Sequence, residues 1–197
     1  LRRRQRQMCI RDRSGHTVSI GAEESGTERN ATQILEFAGM PSSLVATKNL
    51  DYIEATKELK AGDIDAFFCT AGLTTTVIDE LSKECDIRLI PLTDTVISKM
   101  LESSLAYTSE VIPAGTYTGQ TTDISTIGVK SVLITKADVS DDTIEQLTSL
   151  LFEKENEISY SNSLKLELTY DFATDDIPIP FHDGAKRYYK ACGYSTN

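Results

Sequence analysis

An α/β fold with a mostly parallel sheet is predicted by three features of the sequence. Strand-like and helix-like stretches alternate from Ser14 to about Leu101, the pattern of successive βαβ units. Ile64-Asp65-Ala66-Phe67-Phe68-Cys69 is a short apolar run of the kind buried inside a parallel sheet. Val18-Ser19-Ile20-Gly21-Ala22-Glu23-Glu24-Ser25-Gly26-Thr27-Glu28-Arg29-Asn30-Ala31 reads as a strand, a glycine-bearing turn and the opening of a helix. Such a turn directs free amides and the positive end of the helix dipole into one small space, which suits a carboxylate or phosphate.

The elements follow in order. Ser25 and Glu28 have the S-x-x-E spacing of a capping box, with Ser25 at the N-cap and Glu28 reaching back to the N-cap amide. Ala31, Ile34, Leu35 and Ala38 then recur at i, i+3, i+4 and i+7, one apolar stripe, closed by Gly39 and Pro41. Ser43 to Ala46 is a candidate short strand, and Tyr52, Ala55, Thr56 and Leu59 line a helical face that Gly62 stops. After the Ile64–Cys69 strand, a helix begins at about Thr75 with Val77, Ile78 and Leu81 inward. Ile87–Pro91 is read as the next strand, with Arg88 as its embedded cation, and Val96–Leu101 as the next helix.

The pattern changes after Tyr107. Ile112–Gln120 is rich in turn formers, a long strand is expected over Ile127–Thr135, and Ser140 caps a helix that puts Ile144, Leu147 and Leu151 on one face. Glu155–Asp176 has no clear period. The prolines of Ile177–Phe181 keep it out of the α region, and Asp183–Ala191 closes as a helix. His182 is read as that helix's cap, and Tyr188 and Tyr189 as its packing residues.

Composition excludes several classes. At 197 residues and 40% hydrophobic, the chain can bury a core. A net charge of −10 argues against nucleic acid and anionic membrane surfaces as partners. No apolar run approaches a membrane span or a signal-peptide core. Leu1–Arg13 stands apart: six arginines against one aspartate give it +5, leaving −15 for the rest. It reads as foreign to the chain that follows, with the natural N-terminus missing. Cys9, Cys69, Cys85 and Cys192 form no C-x-x-C pair, and with only two histidines neither a zinc site nor any cofactor is expected. Cys69 is expected to act as a small buried hydrophobe.

Two loops, Glu23–Thr27 and Thr70–Thr75, each follow a strand and precede a helix. Ligands of open α/β sheets bind at the carboxyl ends of strands. Both loops carry hydroxyls and neither offers a nucleophile–base pair, which favours holding a small anion over transforming it. The same two loops are also compatible with ordinary βα turns.

The runs VSIGAEESGTERNA, LKAGDIDAFFCTAG, IRLIPL, IPAGTY-TGQ and PIPFHDGAKRYYK, in this order from Thr17 to about Gly193, resemble the TAXI family of solute receptors of TRAP transporters. The resemblance implies a type II periplasmic-binding-protein-like fold of two α/β lobes around a ligand cleft. Residues 17–111 would be the second lobe; residues 112–197 would hold the hinge and the returning part of an incomplete first lobe. It further implies an extracytoplasmic location, TRAP membrane subunits as partners and a small carboxylate ligand, glutamate-like or an organic acid. Carried over, Ser25, Gly26 and Thr27, with Asn30 behind them, would cap the ligand; Thr70, Ala71 and Gly72 would face it; Tyr117 would lie near the hinge. Glu23-Glu24 and Leu73-Thr74 depart from the family pattern. Two other classes stay open: an enzyme on the same architecture using Cys69 or His182, and an effector-sensing domain of a regulator.

Deleting residues 1–13 is expected to leave the thermal midpoint unchanged in a calorimetric scan. A large drop would make the block part of the fold.

Overall fold

The computed structural model describes residues 16–41, 44–153 and 168–196. It is a mixed α/β structure. The chain divides into two units, one taking the described residues up to Ser103 together with Ser109–Ile127, the other taking Ser104–Thr108 and Gly128 onward.

In the first unit, strands and helices alternate: β1 (Thr17–Ser19), α1 (Gly26–Phe37), β2 (Ala46–Lys48), α2 (Tyr52–Ala61), β3 (Ala66–Phe67), α3 (Thr76–Glu84) and α4 (Asp94–Ser103). The strands pair in the order β2-β1-β3, and both pairings are parallel. Thr17 faces Ala46 on one side of β1, while Val18 and Ser19 face Ala66 and Phe67 on the other. The main core lies against one face of this sheet, where Val18, Ile20, Ala31, Leu35, Met40 and Val45 form a buried cluster. Ala31 is wholly buried: with only a methyl group it lets α1 lie close to the strand. Burying Val18, Ile20, Leu35, Met40 and Val45 contributes about 1.5–3 kcal/mol each, which is what holds strands this short in place.

The helix ends follow from local chemistry. Ser25 Oγ accepts from the Glu28 amide at 3.1 Å, so the hydroxyl half of the capping box is formed. The carboxylate half is not: the Ser25 amide is used by a turn to the Ala22 carbonyl, and Glu28 instead accepts from the Glu24 amide at 2.6 Å. A complete box sits one helix later, between Asp51 and Glu54. At the end of α1, the Gly39 amide donates to Glu36 and the Met40 amide to Leu35, a Schellman closure that needs the positive φ of Gly39.

Several strand expectations shift. The Ser43–Ala46 strand forms over Ala46–Lys48, and Ile64–Cys69 pairs only at Ala66–Phe67. Ile87–Pro91 carries no ladder, and both Arg88 and Ile90 are exposed. Two further strands, β4 (Tyr107–Ile112) and β5 (Ile124–Val129), pair with each other. The strand expected over Ile127–Thr135 is therefore displaced toward the N-terminus. Val132, Leu133 and Ile134 are 44%, 68% and 73% exposed, because β-branched sequence becomes strand only where a partner supplies the ladder.

The second unit is built on α5 (Asp141–Glu153), α6 (Tyr170–Thr174) and α7 (Asp183–Ala191). Ser140 Oγ caps α5 by accepting from the Thr143 amide at 3.2 Å. Its inward face differs from the expectation: Thr148 is buried and Leu147 exposed, since the Thr148 hydroxyl is satisfied by the Ile144 carbonyl at 2.7 Å. The α5–α7 contact is so close at Gly184 that an added Cβ would overlap the Asp141 carbonyl. Phe152 stacks on Tyr170 at 4.4 Å and meets the edge of Tyr189, which places Tyr188 and Tyr189 in helix packing. His182 Nδ1 accepts from the Gly184 amide at 3.1 Å and so caps α7.

Gly21 joins β1 to the turn before α1 with φ of +99°, and a Cβ there would lie 2.8 Å from Thr27 Cβ. Gly21→Ala is expected to cost about 2–4 kcal/mol in urea denaturation, from left-handed strain and overpacking together. Gly26→Ala, where a Cβ would meet nothing within 4 Å, is expected to be neutral or slightly stabilising.

Candidate functional site

The carboxyl ends of β1 and β3 place the two predicted loops side by side in the first unit. On the first loop, the chain leaves β1 at Ile20, whose amide still donates to Lys48 O at 3.0 Å. It turns at Gly21 and passes through Glu24, a non-glycine residue at φ of 60°. That strained position is held from outside: Glu28 accepts the Glu24 amide, while Asn49 Nδ2 donates to Glu28 Oε1 at 2.8 Å and to the Gly21 carbonyl at 3.1 Å. Asn49, which precedes α2, thus staples the first loop to the chain after β2.

The second loop is held by two tyrosine hydroxyls. Tyr52, the first residue of α2, donates to the Thr70 carbonyl at 2.9 Å and accepts from the Thr70 amide at 3.1 Å. Its oxygen also lies 2.8 Å from Thr27 Oγ1. A phenol has one proton to give, already placed on Thr70 O, so the Thr27 hydroxyl is the donor in that last bond. The Tyr117 hydroxyl donates to the Leu73 carbonyl and accepts from the Thr75 amide at 3.3 Å. Tyr117 is itself fixed in the Ile112–Gln120 turn, where Gln120 Oε1 accepts its amide and Gln120 Nε2 donates to the Ile112, Pro113 and Thr122 carbonyls.

Each predicted residue can now be placed. Ser25 caps α1, Gly26 is exposed, and Thr27 is buried with its hydroxyl on Tyr52. Asn30 Nδ2 reaches Thr70 Oγ1 at 3.5 Å, the long limit of a hydrogen bond, across the space between the loops. Thr70, Ala71 and Gly72 are all exposed at the crest of the second loop. Tyr117 is 6% exposed and lies beneath the start of α3. Burial pushes its hydroxyl pKa up, so it remains protonated and able to donate. Tyr52 and Asn49 join this constellation although their sequence pattern marks only a helical face and a helix approach. The single available signal was the Asn-Leu-Asp run ahead of a tyrosine, which is turn chemistry rather than site chemistry.

Cys69 sits at the end of the β3 segment, half-buried, with its thiol pushed up to about 11 by burial against a smaller opposing effect of the Tyr52 hydroxyl. At neutral pH it is a thiol. Among the described residues no group of three His, Cys, Asp or Glu side chains is disposed to hold a metal ion. No helix among them is long and apolar enough to cross a membrane.

A parallel sheet carrying two helix-opening loops at its carboxyl edge defines an α/β lobe of the small-ligand-binding kind. The chain belongs to the NMT1-like family, whose model matches residues 2–193, a span that takes in most of the basic opening block. This is a family of periplasmic solute-binding proteins, typically extracytoplasmic, so a small ligand is the partner that membership supports.

The Cys69 environment has a direct consequence. At pH 8 only about one Cys69 in a thousand is ionised. Iodoacetamide is therefore expected to label exposed Cys192 at least tenfold faster than Cys69, read by peptide mapping. The sign for stability is also set: the unfolded thiol ionises first, so the contribution of Cys69 is intact below pH 8 and is lost as pH rises toward 11.

Proposed function

We propose that this chain is the ligand-binding portion of a TAXI-type receptor of a TRAP transporter, and that its activity is binding rather than catalysis. The observation that carries this reading is the convergence of the α1 N-terminus and the Thr70–Thr75 loop, tied through Thr27, Tyr52 and Thr70 within hydrogen-bond distances of 2.8–3.1 Å. The ligand is a small carboxylate, glutamate-like or an organic acid. Its seat is made of the Gly26 and Thr27 amides, the Asn30 and Thr70 side chains, and the Ala71–Gly72 backbone, with Ser25 fixing the helix start. Helix-terminal amides accept an anion without a lysine or arginine. In the full-length receptor, an extracytoplasmic protein, the ligated form is what the membrane subunits recognise.

Binding is favoured over the enzymatic alternative by Cys69, which burial keeps as an unreactive thiol, and by His182, whose Nδ1 is committed to capping α7. The reading is tested by isothermal calorimetry of the full-length receptor with L-glutamate and a panel of dicarboxylates. Asn30→Ala and Thr70→Val are each expected to weaken binding about tenfold, the equivalent of about 1.4 kcal/mol. Unchanged affinity in both variants removes this site, and turnover of the ligand detected by mass spectrometry overturns the binding assignment.

A further inference from the structure

The Thr70–Thr75 loop is anchored in an unusual way for a helix-opening turn. Thr75, the N-cap of α3, makes no side-chain capping bond. In place of a local cap, the loop is held at each end by a phenol from elsewhere in the unit. Tyr52 takes both backbone groups of Thr70. Tyr117 takes the Leu73 carbonyl and the Thr75 amide. The residues between these anchors are Ala71 and Gly72; both are exposed, and their amides are engaged by nothing among the described residues. The two phenols differ in their surroundings but not in their action. Tyr117 is buried and Tyr52 half-buried, and each uses its hydroxyl as donor and acceptor together. Neither anchor carries a charge, so the loop is fixed without adding a field that would favour one ligand charge over another.

We propose that Tyr52 and Tyr117 are positioning residues of the ligand seat, a pair of braces that hold the Ala71–Gly72 crest in its binding geometry before ligand arrives. This rests on the carboxylate reading above. Because Tyr52 also receives the Thr27 hydroxyl, it sets the second loop's position relative to the α1 N-terminus. Tyr117 sets the crest's tilt from the other end. A loop so fixed loses little freedom on binding, and apparent affinity then scales with the fraction of protein whose loop is already competent.

The test uses Tyr52→Phe and Tyr117→Phe in the full-length receptor. Each keeps the ring and removes one hydroxyl, so two independent variants report on the two ends of the loop. Amide hydrogen exchange over residues 70–75 is measured with and without saturating L-glutamate, and glutamate affinity is measured by calorimetry. The expected result is faster exchange of the free loop in both variants, with Kd raised about tenfold. Saturating glutamate should restore the wild-type protection, which a general loss of stability would not do. Loop exchange that accelerates while Kd stays unchanged overturns the inference, and so does unchanged exchange in both variants. If the wild-type receptor responds neither to L-glutamate nor to any of the dicarboxylates, the carboxylate reading falls by itself. Exchange of the free loop then decides the braces: protection lost over residues 70–75 in both variants while the β1 amides keep theirs upholds them, and retained loop protection or an equal loss in β1 overturns them.

Discussion

The hydroxyl of Tyr52 is the point through which the first unit's loops depend on one another. Its bonds to Thr27, the Thr70 amide and the Thr70 carbonyl draw on both the donor and the acceptor side of the phenol. Each partner is in place for a reason that begins in the sequence. Thr27 comes close because Gly21 has no Cβ to hold it off, and Gly21 is where β1 must turn. Thr70 is in reach because β3 pairs with β1 at Ala66 and Phe67. Tyr52 is held by α2, whose start is fixed by the Asp51–Glu54 box. A net gain of about 1 kcal/mol for each such bond is modest, but leaving any of these groups unpaired would cost more than the bond contributes.

The strands are too short to organise the fold by their ladders. β3 has two paired residues and β1 three, so register is specified by what the strand side chains bury. Val18 and Ile20 both enter the cluster with Ala31, Leu35, Met40 and Val45, and a slip by one residue would put Ser19 there instead. The second unit uses different means. Its helices approach at Gly184 and are filled by aromatic stacking around Phe152, while Arg187 reaches Asp142 at 2.9 Å on the outside. That exposed ion pair contributes little beside the ring packing.

The elements legible in the sequence were those written in local, periodic signals. The alternation predicted the parallel sheet, the α1 stripe placed Ala31, Ile34 and Leu35 inside, and the closing helix matched Asp183–Ala191. What was not legible depended on partners distant in the chain. Ile87–Pro91 and Val132–Ile134 have strand composition, yet neither meets a ladder. The Glu28 carboxylate left the Ser25 amide because a turn to Ala22 had taken it. Both site loops stood out through their position between strand and helix. Tyr52 did not, because a side chain that binds backbone 18 residues away leaves no periodic trace.

The charge distribution around these loops bears on what they can hold. Glu23, Glu24 and Glu28 crowd the approach to α1, which would repel an anion if all three carboxylates were free to face it. Glu28 is not free, since its oxygens are committed to the Glu24 amide and to Asn49. Glu23 and Glu24 are exposed, so the high dielectric of bulk water weakens their repulsion. The amides at the helix start act at hydrogen-bond distance, where short-range dipoles outweigh screened charges. Geometry, more than net charge, is what the fold fixes here: the Tyr52 hydroxyl sets the separation of the α1 start from the loop that carries the Ala71–Gly72 crest.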